Sequence, residues 1–253
     1  MKKIILKLIL AINAITNILP RTLKSKFIFA TIIFEGYSRN PEKDLSELLL
    51  IKDDLEKIIN NRALAYGNGE HPKHYLTGYH DFFVNNIKDG ESVLDVGCGY
   101  GAVARTIAIK KPNSVVEGID NDQIRLNQAI KANNPKNLTF SFRDATINEN
   151  KREWDIVVLS NVLEHIENRV DFLRSIQSST LANKILIRVP SFERDWQVPL
   201  RKKLGINYFT DNDHKIEHTL SEFEKELSLA NLELLSTRTI WGEIWAVCRT
   251  NIK

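Results

Sequence analysis

Residues 93–104 read VLDVGCGYGAVA. An apolar run carries Asp95 near its end, glycines follow at 97, 99 and 101, and a helical apolar pattern starts at Ala102. Glycine at alternate positions lets a backbone turn sharply and come close to a ligand. A helix start behind such a turn offers free N–H groups. The third glycine comes one residue earlier than in the G-x-G-x-x-G turn that cradles a dinucleotide pyrophosphate. Asp95, two residues before Gly97, would repel a pyrophosphate and suits a ligand with an ammonium or sulfonium group.

Outward from this turn, short β-branched runs recur at 92–96, 115–120, 138–143, 155–160, 184–189, 232–240 and 243–249. Helical patterns separate the first five, which predicts a mainly parallel sheet with helices on both faces. Only Trp241 and Gly242 separate the last two runs. They must pair as a hairpin, so one strand is antiparallel. The expected fold is α/β, a Rossmann-like seven-stranded sheet with one antiparallel strand, preceded by a helical extension.

Acids sit where the next two strands end. Asp120 closes VVEGIDND, 19 residues after Gly101, a place from which a carboxylate accepts hydrogen bonds from both ribose hydroxyls. Asn121 follows it, and Asp122 is the expected cap of the next helix. Asp144 ends the third run in FSFRDAT, and residues 155–167 read DIVVLSNVLEHIE.

Taken in order, these segments resemble the class I S-adenosylmethionine (AdoMet)-dependent methyltransferases over residues 90–250. The resemblance implies S-adenosyl-L-methionine as cofactor and places Asp95, Gly97, Cys98, Gly99 and Gly101 around it. By the same likeness Asp120 and Asn121 serve the ribose, Asp144 the adenine amino group, the Ala145 N–H the adenine ring, and Ser160 the strand end. The LEH of residues 163–165 is similar to that of small-molecule methyltransferases. His165 is implied at the mouth of the site, as general base or substrate orienter. His214, in the long polar segment 188–218, is the second candidate catalytic residue. The stretches GEHPKH, YHDFF and RVPSFERDW are also similar to methyltransferases of bacterial envelope and polysaccharide clusters. O-methylation of a small molecule, a glycolipid or a saccharide precursor is expected. A non-catalytic AdoMet-binding scaffold stays open, as does an NAD-dependent oxidoreductase, against which the glycine spacing argues. Methyltransferases of exocyclic base amines carry Pro-Pro-aromatic where this chain has Ser160-Asn161-Val162-Leu163, so a nucleic-acid acceptor is not expected.

Of the 253 residues, 43% are hydrophobic and 26% charged, which excludes disordered, collagen-like and coiled-coil classes. Net charge is +3, yet the first 34 residues hold six basic and no acidic side chains, so the remainder carries −3. General attraction to nucleic acid is therefore not expected. Two cysteines, Cys98 and Cys248, fit a reducing compartment and a cytoplasmic location. His71, His74 and His80 lie within ten residues, but no metal site is expected from them. The domain boundary is drawn between 89 and 90. Residues 3–19 form an amphipathic pattern, and residues 41–62 a second helix opened by Pro41. The basic segment 1–34 has three open readings: a helix packed on the domain or a partner, a helix lying on the inner face of a membrane, or a signal peptide. Its uncharged runs are too short to span a bilayer. The oligomeric state is not legible.

Overall fold

The computed structural model describes residues 18–69, 71–147 and 152–251. The helix expected over residues 3–19 lies almost wholly outside them. The chain divides into two compact units, with the division between residues 69 and 70.

In the first unit, helix α1 spans Arg21–Glu35 and helix α2 spans Pro41–Tyr66. Asn40 starts α2: its side-chain carbonyl accepts from the backbone N–H groups of Glu42 and Lys43, both at 3.2 Å. Pro41 fills the first helical position, where no N–H is needed. Helix α1 buries none of its residues. Leu23, Phe27, Ile28, Phe29, Ile33 and Phe34 all stand exposed on it. Among the described residues no helix is long and apolar enough to cross a membrane.

The second unit takes in residues 71–89, twenty residues ahead of the boundary read from sequence. The reason is burial: Tyr79, Phe83, Val84 and Ile87 pack into the core beside Val93 and Ile107. Two short helices lie here, α3 Lys73–Thr77 and α4 Tyr79–Asn85, broken at left-handed Gly78. Then follow β1 Val93–Val96, α5 Ala102–Lys110, β2 Val116–Asp120, α6 Gln123–Lys131, β3 Leu138–Phe142 and β4 Ile156–Ser160. The unit continues with α7 Arg169–Thr180, β5 Lys184–Pro190, α8 Gln197–Lys203, α9 Leu220–Leu229, β6 Leu232–Ile240 and β7 Glu243–Thr250.

The seven strands run in the order β3-β2-β1-β4-β5-β7-β6. Strand β7 is antiparallel to both neighbours and the other pairs are parallel, as the hairpin reading requires. Trp241 and Gly242 form its turn with φ of 55° and 75°, the left-handed pair of a tight hairpin. Alternating side chains divide the core by sheet face. Val158, Leu186 and Trp245 meet Phe83 and Ile107 on one face. Leu159, Ile187 and Ile244 meet Leu173, Phe223 and Leu227 on the other.

The long polar segment that follows β5 folds more tightly than its composition suggests. It carries a 3-10 turn at Phe192–Arg194 and helix α8. A single parallel bridge pairs Ser191 with His218. Arg201, His214, Glu217 and His218 are buried within it. Arg194 pairs with Glu217 and donates to the Tyr208 carbonyl at 2.7 Å. Arg194, His214 and Glu217 bond within the segment, and His218 Nε2 lies 3.0 Å from Glu226, so the segment is a folded insertion and not a solvated excursion.

Candidate active site

A cleft of about 390 Å³ opens beyond the C-terminal ends of β1, β2, β3 and β4. In open α/β sheets, ligands bind at this edge, where the strand order reverses direction about the first strand. Its wall includes Gly97, Asp120, Asn121, Asp144, Ala145, Asn161 and His165.

The glycine turn is shaped by close approach. Gly97 has φ 67°, and a Cβ there would stand 2.9 Å from Val162 Cγ2. Gly101 has φ 73°, and a Cβ there would run into the Phe140 ring. Neither position admits another residue without strain. Behind the turn, Asp95 is almost wholly buried and accepts from the Ala104 N–H at 3.1 Å. Burial pushes its carboxyl up to about 7. Asp95 therefore lies beneath the turn, tying it to the start of α5, and is not part of the cleft wall. Cys98 donates its N–H to the Ile119 carbonyl, and burial raises its thiol far above the usual range. It too supports the turn from behind.

Asp120 holds the turn from the other side. One carboxylate oxygen accepts from the Gly99 N–H and the other from the Asp122 N–H, both at 2.7 Å. A carboxylate oxygen has two lone pairs, so each oxygen keeps acceptor capacity beside the cleft. Asp122 is the helix cap, accepting from Ile124 and Arg125 at 2.8 and 3.1 Å, as its position in the sequence suggested. Asp144 uses Oδ1 for the Thr146 N–H and hydroxyl, at 2.9 and 2.7 Å, and shares the cleft wall with Ala145. Val162, Ile166 and Phe172 complete the wall with apolar surface.

Ser160 faces another group. Its hydroxyl accepts from Arg188 at 3.3 Å, and Arg188 is paired with Glu243 and lies 3.9 Å from the Tyr79 ring centre. Trp245 donates to the same Glu243 carboxylate at 2.9 Å. Beside this cluster His80 bonds Thr106 at 2.8 Å. Burial, with His74 and Arg188 near, brings the His80 imidazole down to about 4. The residue taking Ser160's expected place at the cleft is Asn161, held at φ 57°, a conformation that Asn tolerates better than most residues.

At the far end of the cleft, His165 Nδ1 faces the Asp213 carboxylate at 3.2 Å. The His165 and His214 rings meet edge to face, 4.7 Å between centres. His214 Nδ1 in turn lies 3.2 Å from Glu217 Oε1 and 3.3 Å from the Thr210 hydroxyl. Burial holds His165 below the usual imidazole value, against the pull of Asp213. Burial also opposes charge on His214, but the Glu217 hydrogen bond and the charges of Glu164 and Glu217 raise it overall. Glu164 is fully buried, neither carboxylate oxygen has a hydrogen-bond partner, and burial pushes it up to about 8. In the sequence Glu164 is marked only by its place in LEH, beside His165.

The strand order, the glycine turn and the acids at the ends of β2 and β3 define a class I AdoMet-dependent methyltransferase domain. The chain belongs to the methyltransferase-domain family, whose model matches residues 69–237, more than half of the chain. It is similar to the ubiquinone biosynthesis O-methyltransferase of Rickettsia bellii (strain OSU 85-389), at 29% identity over 56% of this chain and 58% of that protein. It is also similar to a probable (S)-tetrahydroprotoberberine N-methyltransferase of Papaver bracteatum, at 29% identity over 40% of this chain and 29% of that protein. The chain thus spans less than two thirds of these relatives. Among solved structures, the magnesium protoporphyrin IX methyltransferase of Synechocystis PCC 6803, with bound SAH, shares the fold. Its TM-score is 0.55 at 17% identity, over 71% of this chain and 83% of that one.

Proposed function

We propose that this chain is an AdoMet-dependent methyltransferase that methylates an oxygen of a small-molecule, glycolipid or saccharide precursor of the cell envelope. The observation that carries this reading is one cleft with Asp120 and Asp144 at one end and His165 at the other. The residues fit AdoMet. The glycine turn has no room for side chains at 97 and 101, and Asp120 keeps lone pairs for a ribose diol. Asp144 and the Ala145 N–H suit the adenine edge, with Asn121 beside them. AdoMet, when bound, supplies an electrophilic methyl on a positively charged sulfur.

This chain's residues then have three tasks: to align the acceptor, exclude water and receive a proton. As the acceptor oxygen forms its bond to the methyl carbon, the carbon–sulfur bond breaks with its electron pair left on sulfur, and the hydroxyl proton must leave. His165, held by Asp213 and with its pKa lowered by burial, offers a lone pair at this end of the cleft. His214 backs it. Val162, Ile166 and Phe172 exclude water from the middle.

Calorimetry with S-adenosylhomocysteine, followed by transfer of labelled methyl from AdoMet to lipid and saccharide fractions of envelope extracts, tests the reading. Binding with label in either fraction supports it. Binding without any transfer favours a scaffold, and preference for NADH overturns it. A membrane contact through residues 1–34 belongs to the same proposal, supported by the exposed apolar side chains of α1 and by its Arg21, Lys24 and Lys26.

A further inference from the structure

Glu164 presents a problem that the methyl-transfer reading leaves unsolved. A carboxyl group with no exposed surface and no partner for either oxygen is costly to bury. Its carboxylate and one ring nitrogen each of His165 and His214 all lie within 4.8 Å of one another. Both rings have Nδ1 turned to a carboxylate, Asp213 for His165 and Glu217 for His214. That leaves Nε2 of each as the ligand atom. Metal-binding histidines are held in this way, with the second nitrogen fixed by an outer carboxylate. Among the described residues this is the grouping with metal-ligating geometry.

We propose that Glu164, His165 and His214 bind a divalent first-row transition cation in this methyltransferase site. Two imidazoles and one carboxylate suit Zn²⁺, Mn²⁺, Fe²⁺ or Co²⁺ better than the hard, all-oxygen ions Mg²⁺ and Ca²⁺. Bonds of about 2.0–2.2 Å place ligand atoms roughly 3–4 Å apart, so small rotations of the three side chains close the site. Three protein ligands leave coordination positions open, and His165, the ligand that lines the cleft, brings the cation beside it. The substrate class follows: an acceptor with two neighbouring oxygens, one of them the hydroxyl to be methylated. The cation would lower that hydroxyl's pKa; with the His165 lone pair given to the cation, the proton passes to water in place of His165, and the bonds made and broken at the methyl carbon stay as above.

This inference rests on the methyltransferase reading only for its substrate, and the test separates the two. Full-length protein freed of metal with a chelator is titrated with Co²⁺, and separately with S-adenosylhomocysteine. The expected result is one Co²⁺ per chain with visible absorption of a nitrogen-ligated ion, not displaced by excess Mg²⁺. Glu164→Gln and His214→Ala should weaken Co²⁺ at least tenfold and leave S-adenosylhomocysteine affinity within about twofold. Asp213 is largely exposed, so Asp213→Asn folds even if the buried variants do not, and it should weaken Co²⁺ by about 10–100-fold. Protein that binds S-adenosylhomocysteine yet takes up no Co²⁺, or variants that bind Co²⁺ as the wild type does, would overturn the metal site. Uptake of Co²⁺ without S-adenosylhomocysteine binding would sink the methyltransferase reading and keep the metal site.

Discussion

The two ends of the cleft are built differently. The end beside β1, β2 and β3 is made by the backbone. Gly97, Gly99 and Gly101 set its shape, and Asp120 clasps the turn through the Gly99 and Asp122 N–H groups. Its parts come from short segments that each follow a strand. The end beside β4 is made by side chains from segments 49 residues apart in sequence, His165 after β4 and His214 in the insertion after β5. The first end is a feature of the fold. The second depends on how one insertion is packed, and so it is where members of such a fold can differ in acceptor.

If the ends are separable, His165→Ala should lower turnover by about 10²–10⁴-fold, the span for a proton-handling side chain, with S-adenosylhomocysteine affinity nearly unchanged. Steady-state kinetics beside calorimetry check this. A matching loss of cofactor affinity would show that the two ends are one unit.

The insertion is anchored by a second network. Glu226 on α9 accepts from Arg169 of α7 at 2.9 and 2.7 Å and lies 3.0 Å from His218 Nε2. Burial opposes its charge, but the His218 and Arg169 hydrogen bonds and charges outweigh that and hold Glu226 down at about 2, from 4.5. A carboxylate whose pKa is lower in the folded chain contributes stability above its unfolded value. That contribution shrinks as pH falls from 4.5 toward 2. Discounted for solvent screening it is worth about 2 kcal/mol. Glu226→Gln should therefore lower the melting temperature at pH 7 and flatten the loss of stability between about pH 5 and 2. An unchanged acid limb in thermal melts at stepped pH would remove Glu226 from this role.

Asp120→Ala acts at the other end. It should weaken S-adenosylhomocysteine binding by about 1–3 kcal/mol, the cost of leaving buried hydrogen-bonding groups unpaired. It also strands the Gly99 and Asp122 N–H groups, so the unliganded protein should melt at a lower temperature. Asp120→Asn keeps an acceptor oxygen and should do less damage. Calorimetry showing full affinity for the alanine variant would remove Asp120 from the ribose role.

The smallest expected effect on the cleft itself comes from a change outside it. A chain beginning at Glu35 lacks α1 and all six basic residues of the first 34. It should keep its S-adenosylhomocysteine affinity and lose co-sedimentation with anionic vesicles. Each basic group near such a surface is worth about 1 kcal/mol at low salt. Vesicle binding that survives this truncation would take the contact away from the segment.

What was legible in the sequence is what neighbouring residues decide. The strand–glycine–helix turn, the acids at or just past the ends of β2 and β3, the Asp122 cap and the Trp241-Gly242 hairpin depend on backbone conformation and on groups within a few positions. Tertiary packing decided the rest. It buried Asp95 under the turn and turned Ser160 toward Arg188. It drew residues 71–89 into the core through Phe83 and Ile87, and folded the segment after β5 around Arg194 and Glu217. It also left Glu164 without a partner between two histidines. Burial and the meeting of side chains from distant segments depend on where the chain returns, and no local pattern of residues encodes that return.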